Sequence, residues 1–431
     1  MGSDAVEPPM LRRARSVSAP CFAGTSPSGS GNPGAPLANR DHDLLAEPQR
    51  SEIAAKRRAY LECGLAVLRD LARVAARTAS SSSSAEGSGP VSTFTSLTRH
   101  LDDPARVRAL LQIESRLVEH DFPPQLVVEN TSYCNLRCIH CSHREMQRPP
   151  RHMARDLWDK IVGEVGRESP DCELWPTFYG EALILGEELW SRLDGAREAG
   201  CRNLVLNSNG TLLNRNDNIE KVLCSPLRRF ILSLDGLARS TLERIRAKAK
   251  WDEVYPAAEE LCRRRLERGQ RYPVIVAQFS VMKENAAETE DFRWYWQARG
   301  AEVKIRPMLE WTATGSVRTE TIDHEGTLRI TCPWGNNTMA IHQDGAVVAC
   351  AVDYEGLFTI GNVRGMSVRH AWKVLGERLR RPQREHRWRD IPAVCRGCGD
   401  WQVAGAEYDD REIAGARPFW WSSPGTPSQS P

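Results

Sequence analysis

The sequence predicts an α/β protein: an open, partial barrel of six parallel strands, then a small cysteine-rich unit, with a helical, partly disordered extension in front. Three observations carry this. From Gln125 onward, short runs rich in β-branched residues alternate with amphipathic helical stretches. Strands separated by helices pair in parallel, because a parallel neighbour needs a crossover. After about residue 315 the alternation stops and patterned cysteines follow. Ahead of it, residues 1–50 are rich in Ser, Pro, Gly and Ala, too poor in large apolar side chains to offset their ordering entropy.

Taken in order, residues 51–120 form a helical extension. Ile53, Tyr60, Leu61, Leu65, Leu68 and Leu71 recur at helical spacing. A Ser/Gly linker from Ser80 to Pro90 separates this stretch from a second helix over about 103–119, which ends before Pro123. The barrel occupies 121–315. Its strands are Leu126–Glu129, Glu173–Phe178, Asn203–Asn207, Phe230–Leu234, Val274–Met282 and Glu302–Arg306, and its helices are 155–167, 187–199, 215–222, 239–268 and 286–299. Six strands are too few for a closed eightfold barrel, so a partial (β/α)6 barrel is expected, with its chemistry on loops at the C-terminal strand ends. The cysteine-rich unit spans 316–415 and opens with a hairpin, Met339–His342 and Val347–Cys350, around the turn former Asp344-Gly345. Residues 416–431 read as a loose tail.

A net charge of +2 argues against nucleic-acid binding, which needs a concentrated basic surface. No apolar run approaches a membrane span, and the N-terminus lacks the apolar core of a secretory signal, so a cytoplasmic protein is expected. Thirteen cysteines then read as metal or redox chemistry and not as a disulfide framework.

Seven of the thirteen fall into two groups. Cys134, Cys138 and Cys141 form Cys-x3-Cys-x2-Cys directly after the first strand. Three such thiolates can hold a cubane cluster and leave one iron open. The competing reading is zinc on these cysteines with His140 or His143. This loop resembles the signature of the radical S-adenosyl-L-methionine (SAM) superfamily, and the resemblance runs over roughly 124–310. After the second strand, Phe178-Tyr179-Gly180-Glu181-Ala182 resembles the family's Gly-Gly-Glu-Pro motif, with Tyr179 and Ala182 in place of Gly and Pro. Asn207-Ser208-Asn209-Gly210-Thr211 after the third and Ser233-Leu234-Asp235-Gly236 after the fourth, with Arg246 beyond, resemble further family segments. Each alone is an ordinary turn signal; four at the same end of successive strands are a pattern. The resemblance implies that His140, Gly180, Glu181, Asn209, Ser233 and Arg246 bind SAM, with His140 near the adenine.

Cys332, Cys350, Cys395 and Cys398 form the second group. Their spacing resembles the C-terminal SPASM/twitch extension of radical SAM enzymes; with no cysteine after Cys398 they suffice for one cluster, the twitch arrangement. A structural zinc ribbon is the alternative. Cys172, Cys201 and Cys224 precede strands and Cys262 lies within a helix, so all four read as packing or helix-surface residues. The arginine-rich run Arg378 to Arg389 reads as a solvated helix end, or as a surface for an anionic substrate or electron donor.

The resemblance implies two 4Fe–4S clusters, one SAM-binding and one auxiliary, SAM itself, a one-electron donor such as a flavodoxin or ferredoxin, and a 5′-deoxyadenosyl radical that abstracts hydrogen from a small-molecule substrate. A fully ligated auxiliary cluster can accept an electron, so the expected reaction is dehydrogenation of an alcohol on a sugar or aminocyclitol in secondary metabolism. Radical epimerisation, peptide modification and a non-catalytic zinc-binding scaffold are the alternatives.

Overall fold

Apolar β-formers buried on both faces build the centre of the protein, as a parallel sheet requires. The computed structural model describes residues 114–115, 117–309, 329–398, 400–402 and 407–408. The expected disordered segment, the 51–78 helix, the Ser/Gly linker, most of the 103–119 helix, and the tail lie outside the described residues.

Strands β1 (Gln125–Val128), β2 (Glu173–Trp175), β3 (Asn203–Ser208), β4 (Leu227–Ser233), β5 (Val274–Val281) and β6 (Glu302–Pro307) lie side by side in chain order, all parallel. Between them run α1 (Arg155–Glu168), α2 (Glu187–Glu198), α3 (Asn218–Cys224), α4 (Arg239–Ile245), α5 (Trp251–Glu267) and α6 (Thr289–Ala298). Strand period two divides each strand's side chains between faces. Leu204, Leu206, Phe230, Leu232, Ile275 and Ala277 join the large core under the helices, whereas Val205, Ile231 and Val276 pack together as a separate apolar cluster. Beyond that cluster Asn207, Ser233 and Gln278 line the cavity.

The (β/α)6 order follows the sequence pattern, with two departures. Strand β2 stops at Trp175 instead of Phe178, because Pro176 has no amide to donate to a ladder. The stretch 239–268 is two helices, not one. Arg246 leaves the helical region, Lys248 takes a positive φ of 80°, and the carbonyls of Ile245 and Ala247 accept the Ile139 and Arg137 amides. Apolar periodicity runs through this break unchanged, so only the docking partner reveals it.

Beyond the barrel, α7 (Pro333–Asn337) leads into β7 (Thr338–Ile341), β8 (Ala346–Val348) and β9 (Thr359–Asn362), followed by α8 (Val368–Leu375). The expected hairpin is present, and it does more than stand beside the barrel. Strand β7 pairs in parallel with β1, β8 and β9 add antiparallel strands, and β10 (Glu407–Tyr408) pairs antiparallel with β6. One ten-stranded sheet therefore carries both cysteine groups. Gly345 turns the hairpin at φ 94°, and a Cβ there would lie 2.5 Å from Asn362 Oδ1, so only glycine fits. No helix among the described residues is long and apolar enough to cross a membrane.

His342 ends the β7 arm, buried against Phe178 and hydrogen-bonded through Nε2 to the Asp353 carbonyl. Burial, helped by Arg148, lowers its pKa to about 3, below the ordinary 6.5. The unfolded chain therefore binds a proton that the folded chain rejects, and stability is lost as pH falls from about 6.5 toward 3. Urea unfolding between pH 4.5 and 6.5 is expected to show this as a slope of up to ~1.4 kcal/mol per pH unit, reduced in His342→Gln.

Candidate active site

The cysteine loop leaves β1 and is pinned on three sides. The helix break holds Arg137 and Ile139 from one side. Asn135 donates to Thr211 Oγ1 at 2.7 Å and accepts from Asn209 Nδ2 at 3.0 Å on another. On the third, the Glu181 amide donates to the Tyr133 carbonyl at 2.8 Å. Gly180 makes that approach possible: a Cβ would stand 2.0 Å from the Thr131 carbonyl oxygen and 2.8 Å from that of Tyr133. Cys134, Cys138 and Cys141 then face one cavity, of about 250 Å³, also lined by His140, Gly180, Glu181, Asn209, Ser233 and Arg246. All nine sequence-predicted residues of the barrel site are brought together.

Several of them already have protein partners. The buried Glu181 carboxylate accepts from Leu183 N at 3.1 Å, Ser208 Oγ at 2.8 Å and Asn209 N at 2.7 Å. Burial pushes its pKa up and these donors oppose the rise. With three of about four acceptor positions filled, one remains for a ligand donor. Asn209 accepts from Thr211 while its amide holds Asn135, so it orients the cysteine loop. Ser233 donates to Asn207 Oδ1 at 2.8 Å and accepts from Gln278 Nε2 at 3.1 Å. Tyr179, in place of the family's glycine, is a strut: its buried hydroxyl donates to the Ala351 carbonyl beside Cys350.

The residue missed by sequence reasoning is Asp235. It sits at φ 57° with no exposed surface, and its carboxylate reaches three other segments. It accepts the Ser280 amide at 2.7 Å, pairs with Arg246 at 2.5 Å and meets His140 Nε2 at 3.3 Å. Its backbone carbonyl accepts Asn285 Nδ2 at 2.9 Å. Burial alone would raise its pKa; Arg246, His140 and the Ser280 amide outweigh burial and hold it below the carboxylate range. For Arg246, burial works against the charge and Asp235 prevails, raising its pKa. Burial lowers His140 to about 4, so its imidazole is neutral at pH 7 and donates Nε2–H to Asp235. An Asp-Gly turn in the sequence advertises a bend, not an ion-pair hub.

The cavity is also lined by Trp175, Gln278, Lys304 and Arg306. Ser233, Gln278 and Lys304 stand in one register row across β4, β5 and β6. Burial, with Arg306 and Arg229 nearby, drives the Lys304 ammonium well below its ordinary range, against the opposing charge of Glu173.

The second cysteine group also converges. Cys332, Cys395 and Cys398 all act electrostatically on Cys350, and burial drives the Cys350 and Cys395 thiols well above their ordinary range. Cys332 caps α7, its Sγ accepting the Gly335 amide. Trp334 and Ala351, close in sequence to Cys332 and Cys350, line the same cavity as the first group. The other described cysteines are elsewhere: Cys172, Cys201 and Cys262 are buried away from the cavity lining, and Cys224 is at the exposed end of α3. The arginine run is largely satisfied internally. Arg380 stacks 3.4 Å from the Trp372 ring, Arg384 pairs with Glu119, and Arg387 pairs with Glu385 and Asp390.

The donor set fits iron clusters. Burial raises the Cys134 thiol to about 11 and Cys141 to about 12, so three thiolates need a strong local positive charge, which a bound metal provides. His143 meets the Ser132 carbonyl through Nε2 at 2.8 Å, and His140 Nε2 lies 3.3 Å from Asp235. Among the described residues, no three His, Cys, Asp or Glu side chains converge tightly enough to hold a single metal ion.

The family model of the Radical SAM superfamily matches residues 128–292, and that of the SPASM iron–sulfur cluster-binding domain matches 332–399. The chain carries a radical SAM domain followed by a SPASM domain. As a radical SAM enzyme with a SPASM domain it uses SAM and 4Fe–4S clusters. Similar solved structures include BtrN in complex with AdoMet and 2-DOIA, at 16% identity over 65% of this chain and 94% of that one, TM-score 0.45. Streptococcus suis SuiB bound to precursor peptide SuiA is similar at 14% identity over 78% of this chain and 82% of that one, TM-score 0.48. Native anSMEcpe with bound AdoMet is similar at 15% identity over 65% and 87%, TM-score 0.44. No curated protein sequence matches the chain.

Removing one partner of the buried Asp235–Arg246 pair leaves an uncompensated charge. Asp235→Asn is expected to lose ~3–5 kcal/mol in chemical denaturation of the cluster-free protein, and the double variant Asp235→Asn/Arg246→Met to recover part of that loss.

Proposed function

We propose that this radical SAM enzyme dehydrogenates an alcohol on a small polar metabolite of the sugar or aminocyclitol class. One observation carries the reading: a single cavity is lined both by Cys134, Cys138 and Cys141 and by Trp334 and Ala351, which are close in sequence to Cys332 and Cys350. A substrate there lies between a site that starts a radical and a site that can take its electron. When bound, the first cluster with SAM supplies the 5′-deoxyadenosyl radical and the second supplies an electron acceptor. Glu181, Ser233, Arg246, Gly180, Asn209 and His140 hold or shape the SAM position. Trp175, Gln278 and Arg306 face the substrate.

The carbinol carbon gives up a hydrogen atom, its hydroxyl gives up a proton, and one electron leaves, so a carbonyl forms. Lys304, held toward its neutral amine by burial, takes the proton. Among the described residues that line the cavity, the cysteines are those of the first group. An external one-electron donor of the flavodoxin or ferredoxin class would start each turnover.

The test is anaerobic. Reconstituted protein is expected to bind about eight irons, falling to about four with Cys134, Cys138 and Cys141 changed to Ala, and to lose 5′-deoxyadenosine formation from SAM and dithionite in that variant. Carbon-deuterated sugars and aminocyclitols are then offered as a panel. Deuterium in 5′-deoxyadenosine together with a carbonyl product supports dehydrogenation. An inverted alcohol with hydrogen from solvent, or turnover with peptides alone, overturns it. Bound zinc in place of iron overturns the radical reading altogether.

A further inference from the structure

Arg329 lies just ahead of Cys332, in a stretch with no motif, yet it is only 5% exposed. Its guanidinium donates to the Cys395 carbonyl at 2.6 Å and to the Arg396 carbonyl at 3.3 Å. The Trp388 and Trp401 rings lie 5.2 and 5.9 Å from its central carbon. Its charge acts on the thiols of Cys332, Cys395 and Cys398. Its Nε is buried without a protein acceptor. A permanently charged, planar donor has thus been folded into the second cysteine group with its Nε–H unmatched by a protein acceptor.

We infer that Arg329 is a positioning residue that raises the reduction potential of the cluster held by Cys332, Cys350, Cys395 and Cys398, so that this site accepts an electron readily. The inference rests on the cluster assignment made above. One-electron reduction adds negative charge to the cluster, and a fixed cation in a dry surrounding stabilises that state. Charge and hydrogen bonds to sulfur are among the main determinants of cluster potential. Asp353 and Asp400 face the same thiols and act in the opposite sense, so the arginine offsets two carboxylates. The aromatic pair keeps water from screening the guanidinium.

The measurement is an anaerobic redox titration, followed by electron paramagnetic resonance. The full chain carries Cys134, Cys138 and Cys141 as Ala, so that only the second site loads. Arg329→Met is expected to make reduction at least tenfold less favourable, a midpoint lower by about 59 mV or more for one electron. Arg329→Lys, which keeps the charge, is expected to fall between. Arg380→Met, which removes a buried arginine stacked on Trp372, is expected to leave the potential unchanged. If Arg329→Met loses iron, Arg329→Gln carries the same comparison. An unchanged midpoint at full iron content, or an equal drop in Arg380→Met, overturns the inference while the cluster assignment stands. Loss of iron from both neutral variants with an unchanged midpoint in Arg329→Lys assigns a structural role and overturns it as well. A parent background that binds no iron overturns the cluster assignment itself.

Discussion

A single buried carboxylate organises the active end of the barrel. Asp235 closes β4 in a left-handed backbone conformation, bonds the amide of Ser280 on β5 and pairs with Arg246 in the break between two helices. That same break offers its carbonyls to the cysteine loop. Two desolvated charges are costly apart and tolerable together, and here their partnership ties the end of β4 to the segment between α4 and α5. The loop that carries Cys134, Cys138 and Cys141 is therefore positioned by backbone hydrogen bonds to a segment that an ion pair has already fixed.

A second constraint sets where the two cysteine groups stand. Strand β1 is bonded on one edge to β2 and on the other to β7, so the loop after β1 and the hairpin after β7 emerge from adjacent strands. Arg148 reinforces this junction with paired bonds to Glu129, both at 2.7 Å, and further bonds to Gln343 and the Tyr354 carbonyl. Tyr179 spans from the loop after β2 to Ala351. The spacing between the groups is thus a property of strand register and a few buried polar struts, not of a linker between two bodies.

Much of this was legible in the sequence. Parallel strands announce themselves as short runs such as Val274–Val281, and the cysteine spacings narrow the chemistry to an iron–sulfur cluster or zinc. No glycine or proline marks the turn at Lys248, and the proline that does fall within 239–268, Pro256, lies inside α5; a lysine adopts a φ that sequence rules reserve for glycine. Long-range pairing was equally silent: nothing in Thr338–Ile341 says that its partner is β1. Gly180 and Asn209 were found by resemblance, yet their contacts show them shaping the cysteine loop. Arg329 carries no pattern, since its role depends on residues far along the chain.

The pairing of β1 with β7 has a consequence for biosynthesis. Gln125 and Thr338, hydrogen-bonded side chain to side chain, are 213 residues apart. At roughly 5–20 residues per second, a ribosome needs on the order of 10–40 s to make the second after the first. For that time the nascent β1 has one bare edge, and the cysteine loop beside it lacks the wall that β7 and its hairpin later provide. Through that interval the strand edge stands unpaired and the cysteine loop beside it is uncovered.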